Sequence, residues 1–299
     1  MFQPSLEKIS QVQRERLLHI DFKLRFFGVL NRNDLVSRFG IKAAAATRDI
    51  SLYKELAPKN LIYDTKAKTY IESDTFKPVF EYPGLQVLYA LCHGPDDDHV
   101  SDTAALIPSE TPTQLNFPNL DVLAEVTKAI HQKKALAIDY LSLTSGQSTR
   151  EIVPFALVDN GLRWHVRAFD RKEGRFADFV INRIARPNLL NHQIARSQTR
   201  EADIQWNRIV EMHIAPHPRL KHPETIKMEY GMQETKDGCM IKVQVRAAVA
   251  GYVLRRWNVD CSDTHYLDSQ EIHLWLQNRQ SLYGVENLAI APGYQLVSK

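Results

Sequence analysis

The stretch GLRWHVRAFD, residues 161–170, decides how the middle of the chain folds. Its apolar and basic residues alternate, the first set being Leu162, Trp164, Val166 and Ala168 and the second Arg163, His165 and Arg167. Successive side chains of a β-strand point to opposite faces. The alternation therefore predicts a strand with one face in a hydrophobic core and a basic face on its reverse.

The neighbouring segments extend this strand into a sheet. A helix capped by Asp121 is predicted to run to about Gln132, followed by a strand over residues 135–142. Further strands are predicted over residues 150–159, 162–170 and 176–184, with Asp159-Asn160-Gly161 as a strong hairpin signal. Four antiparallel strands with tight turns after one helix predict a small Sm-like or SH3-like β-barrel.

The N-terminal region has the pattern of a winged helix-turn-helix. An amphipathic helix is predicted over residues 5–27 and a short one over 34–39, capped by Asn31 or Asn33 and ended by Gly40. A longer helix is predicted over residues 42–56, stopped by Pro58, and then a β-hairpin around residues 64–68. A last helix over 83–93 closes a DNA-binding domain that we place at residues 1–95.

The polar face of the helix over 42–56 is a candidate DNA-reading surface. Its side chains include donors that contact phosphates and base edges, and its alanines are small enough for close approach to a major groove. We expect Thr47 and Arg48 to read bases and the lysines to contact phosphates. The predicted DNA-binding residues are Lys42, Ala44, Thr47, Arg48, Ser51, Lys54 and, at the hairpin tip, Lys66 and Lys68. The alternative is an ordinary helical hairpin with a charged surface.

The rest of the chain is predicted to hold a connector and a third domain. Residues 96–118 are rich in Pro, Asp, Ser and Thr, which is typical of a connector. At the start of this connector, three aspartates lie between His93 and His99. We interpret this arrangement as a solvated loop rather than a metal site. Residues 204–299 predict a small α+β extension with later strands in EIHLWLQN and YQLVS. Its histidines at 213, 217 and 222 are interpreted as loop residues rather than zinc ligands.

The charge distribution suggests an anionic partner. The net charge of the 299 residues is only +3, yet residues 1–70 carry +6, residues 71–120 carry −7 and residues 121–200 carry +5. Basic blocks of this size attract polyanions, although many are only solvated surfaces. Three distant cysteines, no signal peptide and no run of about 18 apolar residues favour a cytoplasmic protein without disulfides, metal or cofactor.

The basic strand face is a candidate anion site. Side chains two residues apart on one face lie roughly 7 Å apart, a spacing that suits a phosphodiester. Arg150 and Arg183 from flanking strands are expected to converge there, with Tyr140 and Phe179 offering stacking faces. The alternative is that two of the three basic residues pair across strands with Asp139, Glu151 or Asp178.

Residues 138–184 resemble a WYL domain. The triplet that names the family is written here as Trp164-His165-Val166, after a Y-x-S at Tyr140 and Ser142. An R-x-I-x-P begins at Arg150, and a closing R-I begins at Arg183. The match covers roughly residues 120–195, and we place the WYL domain at residues 119–196. His in place of the middle Tyr changes the expected ligand contact from a phenol to an imidazole.

The order of winged helix, connector, WYL domain and C-terminal extension is similar to phage-defence regulators of the BrxR/CapW type. The resemblance implies an α+β repressor that binds an inverted repeat as a homodimer through its extension. It also implies that the WYL barrel senses a nucleic-acid-like or nucleotide-like ligand. The residues it assigns to the ligand are Tyr140, Ser142, Arg150, Arg163, His165, Arg167 and Arg183.

Two other functions remain open from the sequence. A single-strand nucleic-acid-binding adaptor would use the same basic residues, but it does not need a winged helix. A nucleic-acid-processing enzyme needs a nucleophile, a metal or a matched acid and base. The sequence contains no Walker A, H-E-x-x-H, G-x-S-x-G or paired-carboxylate motif, so we assign no catalytic residue.

Overall fold

The computed structural model describes residues 9–93, 106–110, 115–236 and 238–295 of the chain. The chain divides into two compact units, Met1–Pro112 and Thr113–Lys299. His99, the three aspartates before it and most of YQLVS lie outside the described residues, as does much of the predicted connector.

The first unit has the element order of a winged helix-turn-helix. It contains α1 (Gln11–Phe27), β1 (Val29–Leu30), α2 (Arg32–Phe39), α3 (Ala43–Leu56), β2 (Leu61–Asp64), β3 (Thr69–Glu72) and α4 (Gly84–His93). The hairpin strands β2 and β3 pair antiparallel, and β1 adds to β3 in a three-stranded sheet. The predicted helices and hairpin of this region are therefore present, although α1 begins at Gln11 and the first four residues of its predicted range lie outside the described residues.

Local capping residues set the bounds of the helices. The cap of α2 is Asn31, whose backbone N–H donates to the Asp34 carboxylate at 2.8 Å in a capping box. Gly40 follows in the left-handed conformation, with φ of 60°, which glycine adopts without steric cost. One turn therefore separates α2 from α3.

The packing of α3 decides which of its faces is free. Ala46, Asp49, Ile50 and Tyr53 are buried in the core of the unit. The Asp49 carboxylate accepts a hydrogen bond from Nε of Arg16 in α1 at 2.6 Å. Anchored by these residues, α3 turns its opposite face outward.

The central sheet lies in the second unit and has five strands. Helix α5 (Leu120–Gln132) precedes β4 (Ala135–Ser142), β5 (Gly146–Asp159), β6 (Trp164–Asp170), β7 (Arg175–Val180) and β8 (Ile184–Leu190). The antiparallel order is β7-β6-β5-β4-β8, and the fifth strand, β8, was not predicted. The cap of α5 is Asn119 rather than Asp121. The described pairings leave β7 and β8 as edges, and closure into a barrel stays a prediction.

The apolar face of β6 is confirmed only in part. Val166 and Ala168 are fully buried, and Trp164 is half-buried against the same core. Leu162 is 62% exposed, so its predicted place in the core is wrong. The reason is the turn before β6, where the Asn160 side chain accepts hydrogen bonds from the backbone N–H groups of Leu162 and Arg163.

The C-terminal part of the second unit forms another sheet with its own core. Its elements are α6 (Ile204–Asn207), β9 (Ile209–Pro216), α7 (Pro223–Glu229), β10 (Glu234–Thr235), β11 (Gly238–Cys239), β12 (Ile241–Arg246), α8 (Ala250–Arg256), β13 (Val259–Asp260) and β14 (Leu274–Leu276). The four-stranded sheet has the order β12-β9-β14-β13, and β10 pairs with β11. The strand predicted in EIHLWLQN corresponds to β14.

His213 lies within β9 rather than in a loop, whereas His217 follows β9 in a loop, as predicted. The His217 side chain is fully buried, and Nε2 lies 3.1 Å from the Asp260 carboxylate. Asp260 lies 43 residues further along the chain, so the sequence around His217 gave no sign of this acidic partner. His222 does lie exposed, directly before α7.

Candidate nucleic-acid interface and effector site

The predicted DNA-binding residues lie on the free face of α3 and on the tip of the β2–β3 hairpin. All eight are exposed, namely Lys42, Ala44, Thr47, Arg48, Ser51, Lys54, Lys66 and Lys68. Spacings of three and four residues put those of α3 on one stripe opposite its buried side. The arrangement suits insertion of α3 into a groove, with the hairpin reaching the backbone beside it.

The two residues expected to read bases differ in their hydrogen bonds within the unit. The Thr47 hydroxyl donates to the Ala43 carbonyl at 3.0 Å, which uses its donor within α3. Arg48 is exposed and keeps a planar guanidinium suited to guanine. At the hairpin tip, Asp64 accepts from the backbone N–H of Lys66 at 2.8 Å, which holds the turn that carries both lysines.

The basic face of β6 is not open. His165 and Arg167 are each only 5% exposed. The His165 ring stacks on Tyr252 of α8, with centroids 5.3 Å apart. Arg167 donates from Nε to Asp203 at 2.8 Å and from Nη1 to Asp178 at 3.2 Å. The expected exposed cationic surface is therefore wrong for these two residues, because C-terminal segments of the same unit cover it.

The charged groups at this junction are paired with one another, Arg167 lying between two carboxylates. Burial lowers the pKa of His165, and the charge of Asp178 offsets only part of that effect, so the imidazole is neutral near pH 7. Burial alone would also lower the pKa of Arg167, but hydrogen bonds and charges of Asp203 and Asp178 outweigh it and raise that pKa. Tyr252 donates its hydroxyl to Asp178 at 3.0 Å. The junction is thus an internal ion-pair network.

The seven predicted ligand residues do not meet on one surface. Ile152 pairs with Asp170 across the sheet, so Arg150, two residues earlier, shares the face of Asp170 and forms an ion pair with it. That face is the one opposite Arg167, so the expected convergence of Arg150 with Arg167 is wrong. Tyr140 is buried in the core, where its hydroxyl accepts from the Val180 N–H at 3.2 Å.

The remaining predicted ligand residues lie in turns or, for Ser142, at the end of a strand beside a turn. Ser142 accepts hydrogen bonds from the backbone of the β4–β5 turn. Arg183 is half-buried in the three-residue turn after β7, and Arg163 is half-buried in the turn before β6.

Sequence reasoning missed the partners that cover the strand. Cross-strand pairing of Arg167 with Asp178 was the alternative left open, and the structure contains that pair. Asp203 and Tyr252 were not singled out. Asp203 also caps α6 by accepting from the Trp206 N–H at 3.1 Å, a local signal that says nothing about Arg167. Only the tertiary fold brings these residues together.

The described residues contain neither a candidate metal site nor a candidate membrane-spanning helix. Within the part of the chain that the structure describes, no three His, Cys, Asp or Glu side chains cluster in a way that could hold a metal ion. Among the same residues, no helix combines the length and apolar character needed to cross a membrane.

Three family models match successive parts of the chain. They are the BrxR transcriptional regulator winged helix-turn-helix domain over residues 12–90, the WYL domain over 121–189, and the BrxR transcriptional regulator C-terminal dimerization domain over 209–282. The DNA-binding transcriptional repressor CapW of Pseudomonas aeruginosa is 31% identical over 276 residues, 90% of each chain. The chain belongs to the BrxR/CapW family of WYL-domain transcriptional regulators.

Further relatives support the same family. CapW repressors of Escherichia coli (strain KTE188) and Stenotrophomonas maltophilia are each 29% identical, over 91% and 92% of both chains. The solved structure of proteasome accessory factor B/C (PafBC) of Arthrobacter aurescens aligns with 94% of this chain and 46% of its own, at 16% identity. Its TM-score of 0.30 is too low to bear on the fold.

Proposed function

We propose that this protein is a transcriptional repressor that binds an inverted repeat in duplex DNA as a homodimer. The observation that carries the proposal is the stripe of donors on α3, which is exposed while the other side of the helix is locked in the core. The relatives of matching length are named DNA-binding transcriptional repressors. Lysines of α3 and the hairpin supply phosphate affinity, and Arg48 supplies base discrimination.

The dimer follows from the C-terminal region. Residues 209–282 match a dimerization domain of the family. A two-fold dimer presents two copies of α3, which enter successive major grooves about 34 Å apart. Two-fold symmetry in the protein requires two-fold symmetry in the operator, so the target is an inverted repeat.

A small anionic effector of the nucleotide or nucleic-acid type is proposed to release the repressor. It acts by binding one dimer geometry more tightly than the DNA-bound one, because only differential affinity shifts such an equilibrium. The WYL sheet takes part as a small Sm-like barrel. A turn of three residues, Ile181–Arg183, joins the end of β7 to the start of β8, and closure would require these two edge strands to pair.

A footprint on the DNA upstream of the protein's own gene tests the proposal. We expect protection of two half-sites one helical turn apart, and binding to that duplex at least tenfold tighter than to random duplex or to either single strand. Equal affinity for all duplexes would contradict sequence-specific repression. Tighter binding to single strands would instead favour the adaptor function.

A further inference from the structure

A cavity of about 250 Å³ lies in the second unit, between the end of β5 and helix α8. The β5 side contributes residues 157–160, and the other side contributes Trp206, Arg246, Val249 and residues of α8. None of the seven residues predicted to bind a ligand lines it. Pockets for drug-sized ligands measure roughly 300–1,000 Å³, so this one suits a single ring system.

Two aromatic rings of the wall are held in place by neighbouring side chains. Phe155 meets the Trp206 ring edge-on at 5.6 Å, and the Arg246 guanidinium lies over that ring at 4.9 Å. Arg246 also donates from Nη1 to the Trp206 carbonyl at 2.7 Å. Tyr252 is fixed by its stack on His165 and its hydrogen bond to Asp178. Rigid aromatic walls accept a planar ring at low entropic cost.

The charged groups of the cavity favour an anion. Its lining contains Arg246, Arg256 and one carboxylate, Asp159, for a net charge of +1. The Asp159 carboxylate accepts from the Gly161 N–H at 2.7 Å and lies 3.7 Å from Nη1 of Arg256, too far for a strong hydrogen bond. Arg256 is 56% exposed, so its guanidinium keeps donors for a ligand.

The absence of a side chain at Gly161 leaves room for Arg256 beside the cavity. The backbone of Gly161 has φ of 85°, and a Cβ added there would lie 2.8 Å from Nη1 of Arg256. The Arg256 side chain therefore packs directly on the turn before β6. This contact orients the guanidinium next to the aromatic walls, an arrangement suited to a ring that carries a phosphate.

We propose that this cavity binds a small planar aromatic anion of mononucleotide size. The ring lies against Trp206 and Tyr252, and the phosphate lies on Arg256. The inference rests on the effector control proposed above, and it moves the site from the covered face of β6 to the cavity beside α8. Since Tyr252 also contacts His165 and Asp178, an occupant touches the network that joins the two sheets of the unit.

Calorimetric titration of the full chain tests the proposal. The probes are adenosine and uridine 5′-monophosphate, adenosine, ribose 5-phosphate and inorganic phosphate. We expect at least one monophosphate to bind tenfold or more tightly than adenosine, ribose 5-phosphate or phosphate alone. No binding of either monophosphate at millimolar concentration overturns the proposal, and so does binding no tighter than that of ribose 5-phosphate.

Substitutions locate the site. Arg256→Gln should weaken monophosphate binding at least tenfold, whereas Lys172→Gln, the same loss of charge at an exposed turn away from the cavity, should leave it unchanged. Leu157→Trp, from a partly exposed position, and Val253→Phe both fill the cavity and should abolish binding. The proposal is overturned if a folded filling variant binds as well as the parent, or if Lys172→Gln and Arg256→Gln weaken binding equally. The operator footprint uses no added compound, so it can succeed or fail independently of these titrations.

Discussion

The His165 ring lies nearly flat against the Tyr252 ring, with an angle of 26° between their planes and 5.3 Å between their centroids. His165 belongs to the central sheet, and Tyr252 belongs to α8 in the segment that matches a dimerization domain. The Tyr252 hydroxyl continues the contact to Asp178, which in turn pairs with Arg167. The His165–Tyr252 stack and the hydrogen bond from Tyr252 to Asp178 therefore connect the WYL sheet to the C-terminal sheet.

Loss of the Tyr252 hydroxyl should weaken this tie. Tyr252→Phe keeps the ring but removes a hydrogen bond to a charged, half-buried carboxylate, and we expect the unfolding free energy of the second unit to fall by about 1–2 kcal/mol. All four tryptophans lie in this unit, so urea unfolding followed by tryptophan fluorescence reports on it. Tyr283→Phe, at an 83% exposed position, is the matched control. Equal stability of the two variants would contradict the role of the hydroxyl.

Arg167 should behave as a structural residue. Arg167→Met leaves the Asp203 and Asp178 carboxylates without their cation, and removing one partner of a buried ion pair costs about 3–5 kcal/mol. The same fluorescence-monitored unfolding measures the loss, and Arg175→Met, on the exposed edge strand, should change little.

Adding Asp203→Asn to Arg167→Met should recover part of the stability, because it removes one of the unpaired charges. If Arg167→Met instead costs less than about 1 kcal/mol, the guanidinium is not needed for packing. It would then be available to an effector, as the sequence suggested.

The sequence predicted what local chemistry decides. Capping and backbone geometry set the bounds of α2 through Asn31 and Gly40, and Pro58 follows the end of α3. The turn between β5 and β6 was marked by Asp159-Asn160-Gly161. What covers a strand is decided by segments far along the chain. The alternation of basic and apolar residues in β6 could therefore be predicted from the sequence, whereas the burial of its basic face under Tyr252 and Asp203 could not. Strand β8 was missed because it pairs with β4, which lies more than 40 residues earlier in the chain.

Arg48 should discriminate between bases. We expect Arg48→Ala to weaken operator binding by about 1–3 kcal/mol and to relax specificity, since a bidentate base contact is lost. Lys54→Ala should weaken binding to all duplexes alike and reduce the salt dependence by about one phosphate contact. Arg14→Ala, an exposed change on α1, is the control. Fluorescence anisotropy on operator and random duplexes measures all three, and an unchanged preference of Arg48→Ala for the operator would disprove base reading.

The first unit should lose stability in mild acid through His19. Burial, together with the charges of Arg38 and Lys23, lowers the pKa of His19 to about 3 from its ordinary 6.5. Because the unfolded chain then binds the proton more readily, the unfolding free energy should fall as pH drops below 6.5, by about 2 kcal/mol between pH 7.5 and pH 5. Above pH 6.5 both states are neutral at this residue, and its contribution is fully present.

Hydrogen exchange of the α1 amides measures this loss in the first unit itself. His19→Gln lowers stability at neutral pH by removing the edge contact with Phe39, but it should flatten the profile between pH 7.5 and 5. His222→Gln, at an exposed position in the second unit, should leave the slope unchanged. A His19→Gln profile as steep as the parent's would assign the acid sensitivity to other groups, since no proton uptake at residue 19 would remain to explain it.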